Sequence, residues 1–179
     1  MDDPIVIDSS IILAVVLKEP EAAQIRAWLA RVEHDGVPLI APSHLWLEVM
    51  NPLHRRHRWD AAEILGALRV IDSLGVTSII LDRPMLLTTN DLAERYGLTA
   101  YDAAYLATAI ACDATLATLD QALAGAAGAR LDPTFAGDDP GAVREPGAGY
   151  EAGTVTWPGS PVAMSYLADL RRRALLVEP

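Results

Sequence analysis

The chain contains few residues of several types, and each scarcity excludes a class of protein. Its 179 residues include one cysteine, Cys112, which excludes an intramolecular disulfide framework and a CxxC zinc site. No apolar run approaches the roughly 20 residues that a membrane-spanning helix needs. The first residues show no secretory pattern, so the sequence predicts a cytoplasmic protein without a membrane segment.

Basic residues are also scarce: Lys18 is the single lysine, and the formal net charge is −10. This charge argues against a protein that coats nucleic acid through bulk positive charge. It does not exclude an enzyme that holds nucleic acid through metal ions, because carboxylates gathered at one site attract divalent cations. Apolar residues, in contrast, make up 51% of the chain, enough for a sizeable core.

Buried strands and amphipathic helices alternate along most of the chain. Short β-branched or apolar runs predict strands at "IVI", "PLIAP", "VTSIILD" and "ATLATLD", and "ARL" is predicted to be a last edge strand. Helical patterns lie between them, including one that begins near Pro20. This alternation predicts an α/β domain over residues 1–132, with a central, mostly parallel sheet flanked by helices.

The composition changes after residue 132. Residues 133–179 are rich in proline and glycine and form a predicted extension without a core of its own. The extension ends in "VAMSYLADLRRRALLV", a pattern typical of a short helix. Docking of this helix on the main domain and docking on a partner both stay open.

Four acidic residues stand beside apolar structure. Asp8 and Asp120 each follow a predicted strand, Asp102 lies in the first turn of a predicted helix, and Glu48 lies within "LWLEVM". In parallel sheets, ligands bind beyond the carboxyl ends of the strands. The four carboxylates are therefore predicted to converge on one rim of the sheet.

Carboxylates brought this close together repel each other, which raises their pKa values. A hard divalent cation such as Mg²⁺ or Mn²⁺ relieves the repulsion, and oxygen ligands are the ones that it prefers. Such a cation also stabilises charge that develops on a phosphoryl oxygen. The pattern therefore favours a metal-dependent reaction at a phosphate group.

Each carboxylate also has a purely structural interpretation. Asp8 and Asp120 are placed to cap the helices that follow them. "TAYD" matches a capping box with Thr99 at the N-cap and Asp102 three residues later. Glu48 caps nothing, so its structural alternatives are a buried arginine partner or exposure to solvent. Taken singly, the four residues do not decide between capping and metal binding.

Taken together and in this order, the motifs resemble PIN-domain ribonucleases, and among them the VapC-type toxins of bacterial toxin–antitoxin systems. The stretches that carry the resemblance are "IVIDSSIILAVVLKE", "LWLEVMNPLHRR", "LTAYDAAYLATA" and "ATLATLDQALA". They span about residues 4–132, and "YDAAYLATA" followed by "TLATLD" is the most specific part.

The resemblance implies a Mg²⁺-dependent endoribonuclease with an α/β sandwich fold, with Mn²⁺ as a possible substitute. It also implies a small antitoxin partner, which often inserts a basic side chain into the acidic pocket, and a homodimer. Carried onto this sequence, the acidic positions that hold the metal are Asp8, Glu48, Asp102 and Asp120, and the supporting hydroxyl positions are Ser10 and Thr118. Asp8 and Asp102 are the central ligands, and Glu48 orients water or holds a second ion.

The sequence departs from the family pattern at Pro52 and in the long extension. A proline inside a helix has no N–H for the carbonyl four residues earlier, here that of Glu48, so a bend is expected. Just beyond it, Arg55 and Arg56 in "HRRHR" are predicted to contact the RNA backbone; their structural alternative is a solvated helix end favoured by the helix dipole.

Two rival functions remain open from the sequence. One is an inactive PIN-like binding module, which Pro52 and the extension suggest and which the retention of four mutually repelling carboxylates opposes. The other is a metal-dependent DNA nuclease or phosphatase that uses the same ligands.

Overall fold

The computed structural model describes residues 3–136. Within this part, four short strands form one sheet in which every pair of neighbours is parallel. The strands are β1 (Ile5–Ile7), β2 (Leu39–Pro42), β3 (Thr77–Ile79) and β4 (Thr115–Ala117), in the spatial order β3-β2-β1-β4. The predicted α/β class with a central parallel sheet is confirmed.

Helices connect and cover the strands, as the sequence pattern predicts. They are α1 (Ser9–Leu17), α2 (Ala22–His34), α3 (Leu45–Arg55), α4 (Ala61–Ser73), α5 (Arg83–Tyr96), α6 (Ala100–Ala111) and α7 (Gln121–Ala127). Helix α6 packs against β1, β2 and β4, and α1 packs against α2, α3 and α4. The central strand β1 is buried along its whole length, which is typical of a parallel sheet covered by helices.

Polar side chains fix where several of these helices begin. In the described part, five α-helices start at a residue whose side-chain oxygen accepts a backbone N–H of the first turn: Asp8, Asp60, Asp82, Thr99 and Asp120. Such caps satisfy N–H groups that have no partner inside the helix. Three of the four acidic residues predicted to bind metal are therefore tied to helix starts, because Asp102 bonds to the Thr99 cap.

The sequence prediction is wrong at two element ends. The stretch "ARL" does not form an edge strand: Gly128–Arg130 is a 3₁₀ turn, and one bridge joins Leu131 to Leu116. The turn closes when the Leu131 N–H bonds to the Gly128 carbonyl, which leaves no length for a ladder. In addition, α2 begins at Ala22 instead of next to Pro20.

Pro52 lies inside α3, and the helix continues past it to Arg55. The carbonyl of Pro52 accepts the N–H of Arg56, so the last turn still forms. Leu53, the next residue, is fully buried. The packing of α3 on the core thus holds the helix together in spite of the lost hydrogen bond to the Glu48 carbonyl.

Residues 132–136 pack against the domain. The Asp132 N–H donates to the Leu116 carbonyl, and the ring of Phe135 packs edge-on against Trp28 with 5.0 Å between the ring centroids. The predicted helix in "VAMSYLADLRRRALLV", like most of the predicted extension 133–179, lies outside the described residues. In residues 3–136, no helix has the length and apolar character to cross a membrane.

Candidate active site

Asp8 lies at the carboxyl end of β1 and is the most enclosed of the four predicted site residues. One carboxylate oxygen accepts the Ser9 N–H at 2.6 Å, and the other accepts the hydroxyls of Ser10 at 2.6 Å and Thr118 at 2.8 Å. The residue is 4% exposed. Burial raises the pKa of Asp8, and the hydrogen bonds from Ser10, Thr118 and the Ser9 backbone oppose that rise.

The two predicted supporting hydroxyls connect Asp8 to the segment after β4. The Thr118 oxygen accepts the backbone N–H of Asp120 at 3.0 Å while its hydroxyl donates to Asp8. Ser10 does the same with the Leu119 N–H, also at 3.0 Å. Two adjacent parallel strands thus deliver Asp8 and Asp120 to one end of the sheet, joined through a single threonine.

Asp102 and Asp120 are each held through only one carboxylate oxygen. Oδ2 of Asp102 accepts the Thr99 hydroxyl at 2.6 Å, and Oδ1 of Asp120 accepts the Leu123 N–H at 2.8 Å. In both residues the second oxygen has no protein hydrogen bond among the described contacts. The capping interpretation is correct for Asp120. At Asp102 the Thr99 cap forms, but the carboxylate accepts the Thr99 hydroxyl instead of the Thr99 backbone N–H, so the predicted capping box is incomplete. Each carboxylate keeps one oxygen without a hydrogen bond.

Glu48 lies in the first turn of α3 and has no arginine partner among the described residues, so that structural alternative is wrong. Its side chain is 22% exposed, so the solvent alternative is met only in part. Its Oε2 accepts the Tyr105 hydroxyl at 2.5 Å and lies 3.5 Å from Nε2 of His44. The pKa of Glu48 rises to about 7, mainly because of burial and further because of the negative charges of Asp8 and Asp102. Glu48 is therefore within electrostatic reach of Asp8 and Asp102. These three residues and Asp120 are called the acidic group below.

The acidic group fits a hard divalent cation by donor type. Asp102, Asp120 and Glu48 each keep a carboxylate oxygen without a hydrogen-bond partner, and oxygen donors are what Mg²⁺ and Mn²⁺ prefer. Within residues 3–136, no three acidic, histidine or cysteine side chains already stand close enough to share one ion.

A cleft of about 1050 Å³ opens beside the acidic group, between α3 and α4. Ser9, His44, Glu48 and Tyr101 line one part of the cleft, and apolar side chains line the rest. Among the latter, Leu47 and Leu65 are well exposed, at 66% and 50%. The carboxylates are therefore continuous with an apolar groove.

The two arginines predicted to contact RNA lie at the far end of α3. Arg55 ends the helix, Arg56 follows it, and both side chains are exposed. His54 of the same turn lines the cleft that also contains Glu48. The basic cluster thus borders the cleft and is separated from Glu48 by about two turns of helix.

Comparison with known proteins decides the family. The model of the PIN domain matches residues 5–129 of this chain. The chain belongs to the PIN-domain family. PIN domains are generally metal-dependent nucleases that use divalent ions, and this domain has their fold.

One solved structure gives an independent view of the PIN fold of this chain. The crystal structure of PAE2754 from Pyrobaculum aerophilum aligns with a TM-score of 0.50 and 24% sequence identity, over 70% of this chain and 87% of that chain. At this identity the likeness concerns the fold alone. No curated protein matches the sequence of this PIN domain.

Two neighbours of Glu48, His44 and Tyr105, were not predicted from the sequence. His44 had a local signal, because it is the N-cap of α3 and stands four residues before Glu48. Tyr105 had none as a partner of Glu48, since the two are 57 residues apart and their contact depends on the packing of α6 near α3. Asp82 and Asp113, to which the sequence assigned no role, cap α5 and pair with Arg130, respectively.

The raised pKa of Glu48 predicts how the metal-free protein responds to pH. Because the folded pKa is about 7 and the unfolded value is 4.5, folding takes up a proton between these values. Lowering the pH from about 8 to about 5.5 should therefore increase the contribution of Glu48 to the free energy of unfolding by about 2 kcal/mol. Urea unfolding at both pH values measures the change, and Glu48→Gln should remove about that part of it; an identical pH response in the variant would contradict the prediction.

Proposed function

We propose that this PIN domain is a Mg²⁺-dependent endoribonuclease, with Mn²⁺ as a possible substitute. The observation that supports this most is the bridge from Asp8 through Thr118 to Asp120, with Glu48 and Asp102 electrostatically coupled to the same group. Helix capping alone gives no reason for these carboxylates to lie near one another, since each cap acts only on its own helix. Asp8 and Asp120 lie just beyond the carboxyl ends of the adjacent strands β1 and β4, a position that favours a cation site.

In this proposal each residue has a distinct task. Asp8, Asp102 and Asp120 hold the ion, and Glu48 orients the attacking water or holds a second ion. Ser10 and Thr118 keep the Asp8 carboxylate aimed by donating to it. When bound, a divalent cation lowers the pKa of a coordinated water and offsets the charge that builds on the scissile phosphate.

A cleavage assay tests the reaction. Purified protein should cut RNA internally with Mg²⁺ or Mn²⁺ and stop when EDTA removes the ion. Single-stranded DNA and a small phosphate ester, assayed in parallel, test the alternatives of a DNA nuclease and a phosphatase. Absence of cleavage of all three, together with no carboxylate-dependent ion uptake in calorimetry, would favour the inactive binding module instead.

Arg55 and Arg56 are proposed to bind the RNA backbone beside the cleft. Replacing both by alanine should weaken RNA binding and reduce the slope of log K against log salt by about 0.7 for each charge that contacts a phosphate of single-stranded RNA. Filter binding at several salt concentrations measures the slope. Arg31→Ala, an exposed arginine near the end of α2, is the control and should leave the slope unchanged; equal effects of both changes would place the two arginines outside the RNA path.

We further propose that the domain is the toxin of a VapBC-type pair, located in the cytoplasm and active as a homodimer. Support for a protein partner comes from the cleft, where exposed Leu47 and Leu65 adjoin the acidic group. An antitoxin segment with an apolar face and a basic side chain matches both features. Co-purification of the full-length protein with the product of a small upstream reading frame tests this pairing, and Leu65→Glu should weaken the complex while Leu87→Glu on α5 should not.

A further inference from the structure

Two polar groups converge on one oxygen of Glu48. The Tyr105 hydroxyl donates to Oε2 at 2.5 Å, and Nε2 of His44 lies 3.5 Å from the same atom. Oε1 has no protein hydrogen bond among the described contacts. Oε2 of Glu48 therefore has both polar neighbours, whereas Oε1 has no protein partner.

Tyr105 comes from a different element and is itself immobile. Its side chain is fully buried in α6, one turn after Asp102. Its hydroxyl therefore joins α3 to the helix that carries Asp102. A short bond from a fully buried donor restricts the rotamers of Glu48, which is only partly buried.

His44 is held in place by ring packing. Its ring packs edge-on against Tyr105 at 5.0 Å and tilted against Tyr101 at 5.7 Å. Nε2 is inaccessible to solvent and satisfies no hydrogen bond in its present geometry. A buried polar atom without a partner is costly and is usually retained for a reason.

We propose that Tyr105 and His44 are positioning residues for Glu48. The Tyr105 hydroxyl holds Oε2 through a hydrogen bond, and His44 packs beside the same oxygen without bonding to it, so that Oε1 is left for the ion or water of the acidic group. The positioning of Glu48 follows from the geometry of its contacts. Its effect on metal binding rests on the proposed nuclease function. Neither residue contacts the ion or the substrate in this proposal, so both act only through Glu48.

Mn²⁺ affinity, measured by electron paramagnetic resonance on the full chain, provides the first test. Tyr105→Phe removes only the hydroxyl and should weaken Mn²⁺ binding about 10- to 100-fold, as loss of an outer partner of a ligand does. Tyr96→Phe is the matched control, because this tyrosine ends α5, does not line the cleft and has its ring under the Arg95 guanidinium. It should leave the affinity within about twofold of that of the parent.

A double-mutant cycle separates positioning from general stability. In a Glu48→Gln background, Tyr105→Phe should change the Mn²⁺ affinity by less than about threefold, because its route of action is gone. His44→Phe, which keeps an aromatic ring against both tyrosines, should weaken binding in the parent and not in the Glu48→Gln background. A full effect of Tyr105→Phe without Glu48 would overturn the positioning role.

The carboxyl ¹³C chemical shift of Glu48 in the metal-free protein distinguishes a failure of the positioning role from a failure of the proposed metal site. Tyr105→Phe should move this signal and Tyr96→Phe should not. If the parent takes up no Mn²⁺ but the signal moves, the positioning stands and the proposed metal site fails. If Mn²⁺ binds and Tyr105→Phe alters neither the affinity nor the signal, the positioning is wrong and the nuclease proposal survives.

Discussion

Asp8→Asn is expected to reduce metal-dependent RNA cleavage at least about 1000-fold. Asp8 is the residue to which the other members of the group connect, because Ser10 and Thr118 both donate to it and Thr118 leads on to Asp120. Loss of its charge removes a central ligand of the proposed ion, which contributes several kcal/mol to the transition state. Each 1.36 kcal/mol corresponds to a tenfold change in rate.

The same substitution should not unfold the protein. Burial raises the pKa of Asp8, so its charged form is costly in the metal-free fold, and a neutral amide avoids that cost. The amide NH2 cannot accept the Ser10 and Thr118 hydroxyls, which offsets part of this gain, so the unfolding midpoint of Asp8→Asn near neutral pH should stay close to that of the parent. Asp113→Asn is the control, since that side chain is 88% exposed and pairs with Arg130. Cleavage by Asp8→Asn at more than about a tenth of the parent rate would contradict the proposed function.

Leu116→Ala is expected to destabilise the domain by about 2–5 kcal/mol. Leu116 is fully buried at the centre of β4, pairs with Val6 of β1 and bonds through its carbonyl to the Asp132 N–H. Truncation removes apolar contacts and leaves a cavity that rigid strands cannot fill. Because β4 leads into Thr118 and Asp120, the acidic group depends on this packing.

Urea unfolding, monitored by circular dichroism, measures this effect. Leu87→Ala on α5 is the comparison, because Leu87 is 51% exposed and its truncation should cost less than about 0.5 kcal/mol. A loss below about 1 kcal/mol for Leu116→Ala would show that β4 is not packed as described here.

The parts of the fold that local chemistry determines were predictable from the sequence. The β-branched run of β1 and the apolar run of β2 mark the interior of a parallel sheet. The positions of Asp8 and Asp120 were predictable because each follows an apolar strand run, and each also caps the helix that comes next. Capping and convergence have one cause, since the carboxyl end of a parallel strand and the start of the next helix share one edge of the sheet.

The parts that depend on contacts between distant segments were not predictable. The Tyr105 hydroxyl on Glu48 joins α6 to α3, and no spacing rule relates residues 57 positions apart. The continuation of α3 past Pro52 also depends on such contacts, because the fully buried Leu53 packs the helix on the core. A 3₁₀ turn forms at Gly128–Arg130 in place of the predicted strand, because the Leu131 N–H bonds locally to the Gly128 carbonyl and not to a neighbouring strand.

The central claim is that Asp8, Asp102 and Asp120 hold one divalent cation at the rim of the sheet. Crystals grown with Mn²⁺ and measured near the manganese absorption edge test it directly, because anomalous scattering locates the ion independently of the protein atoms. The account predicts a peak coordinated by carboxylate oxygens of these three residues, with Oε1 of Glu48 directed toward the ion or its water. A structure at millimolar Mn²⁺ with no peak among these carboxylates, or with Mn²⁺ bound only elsewhere, would contradict it.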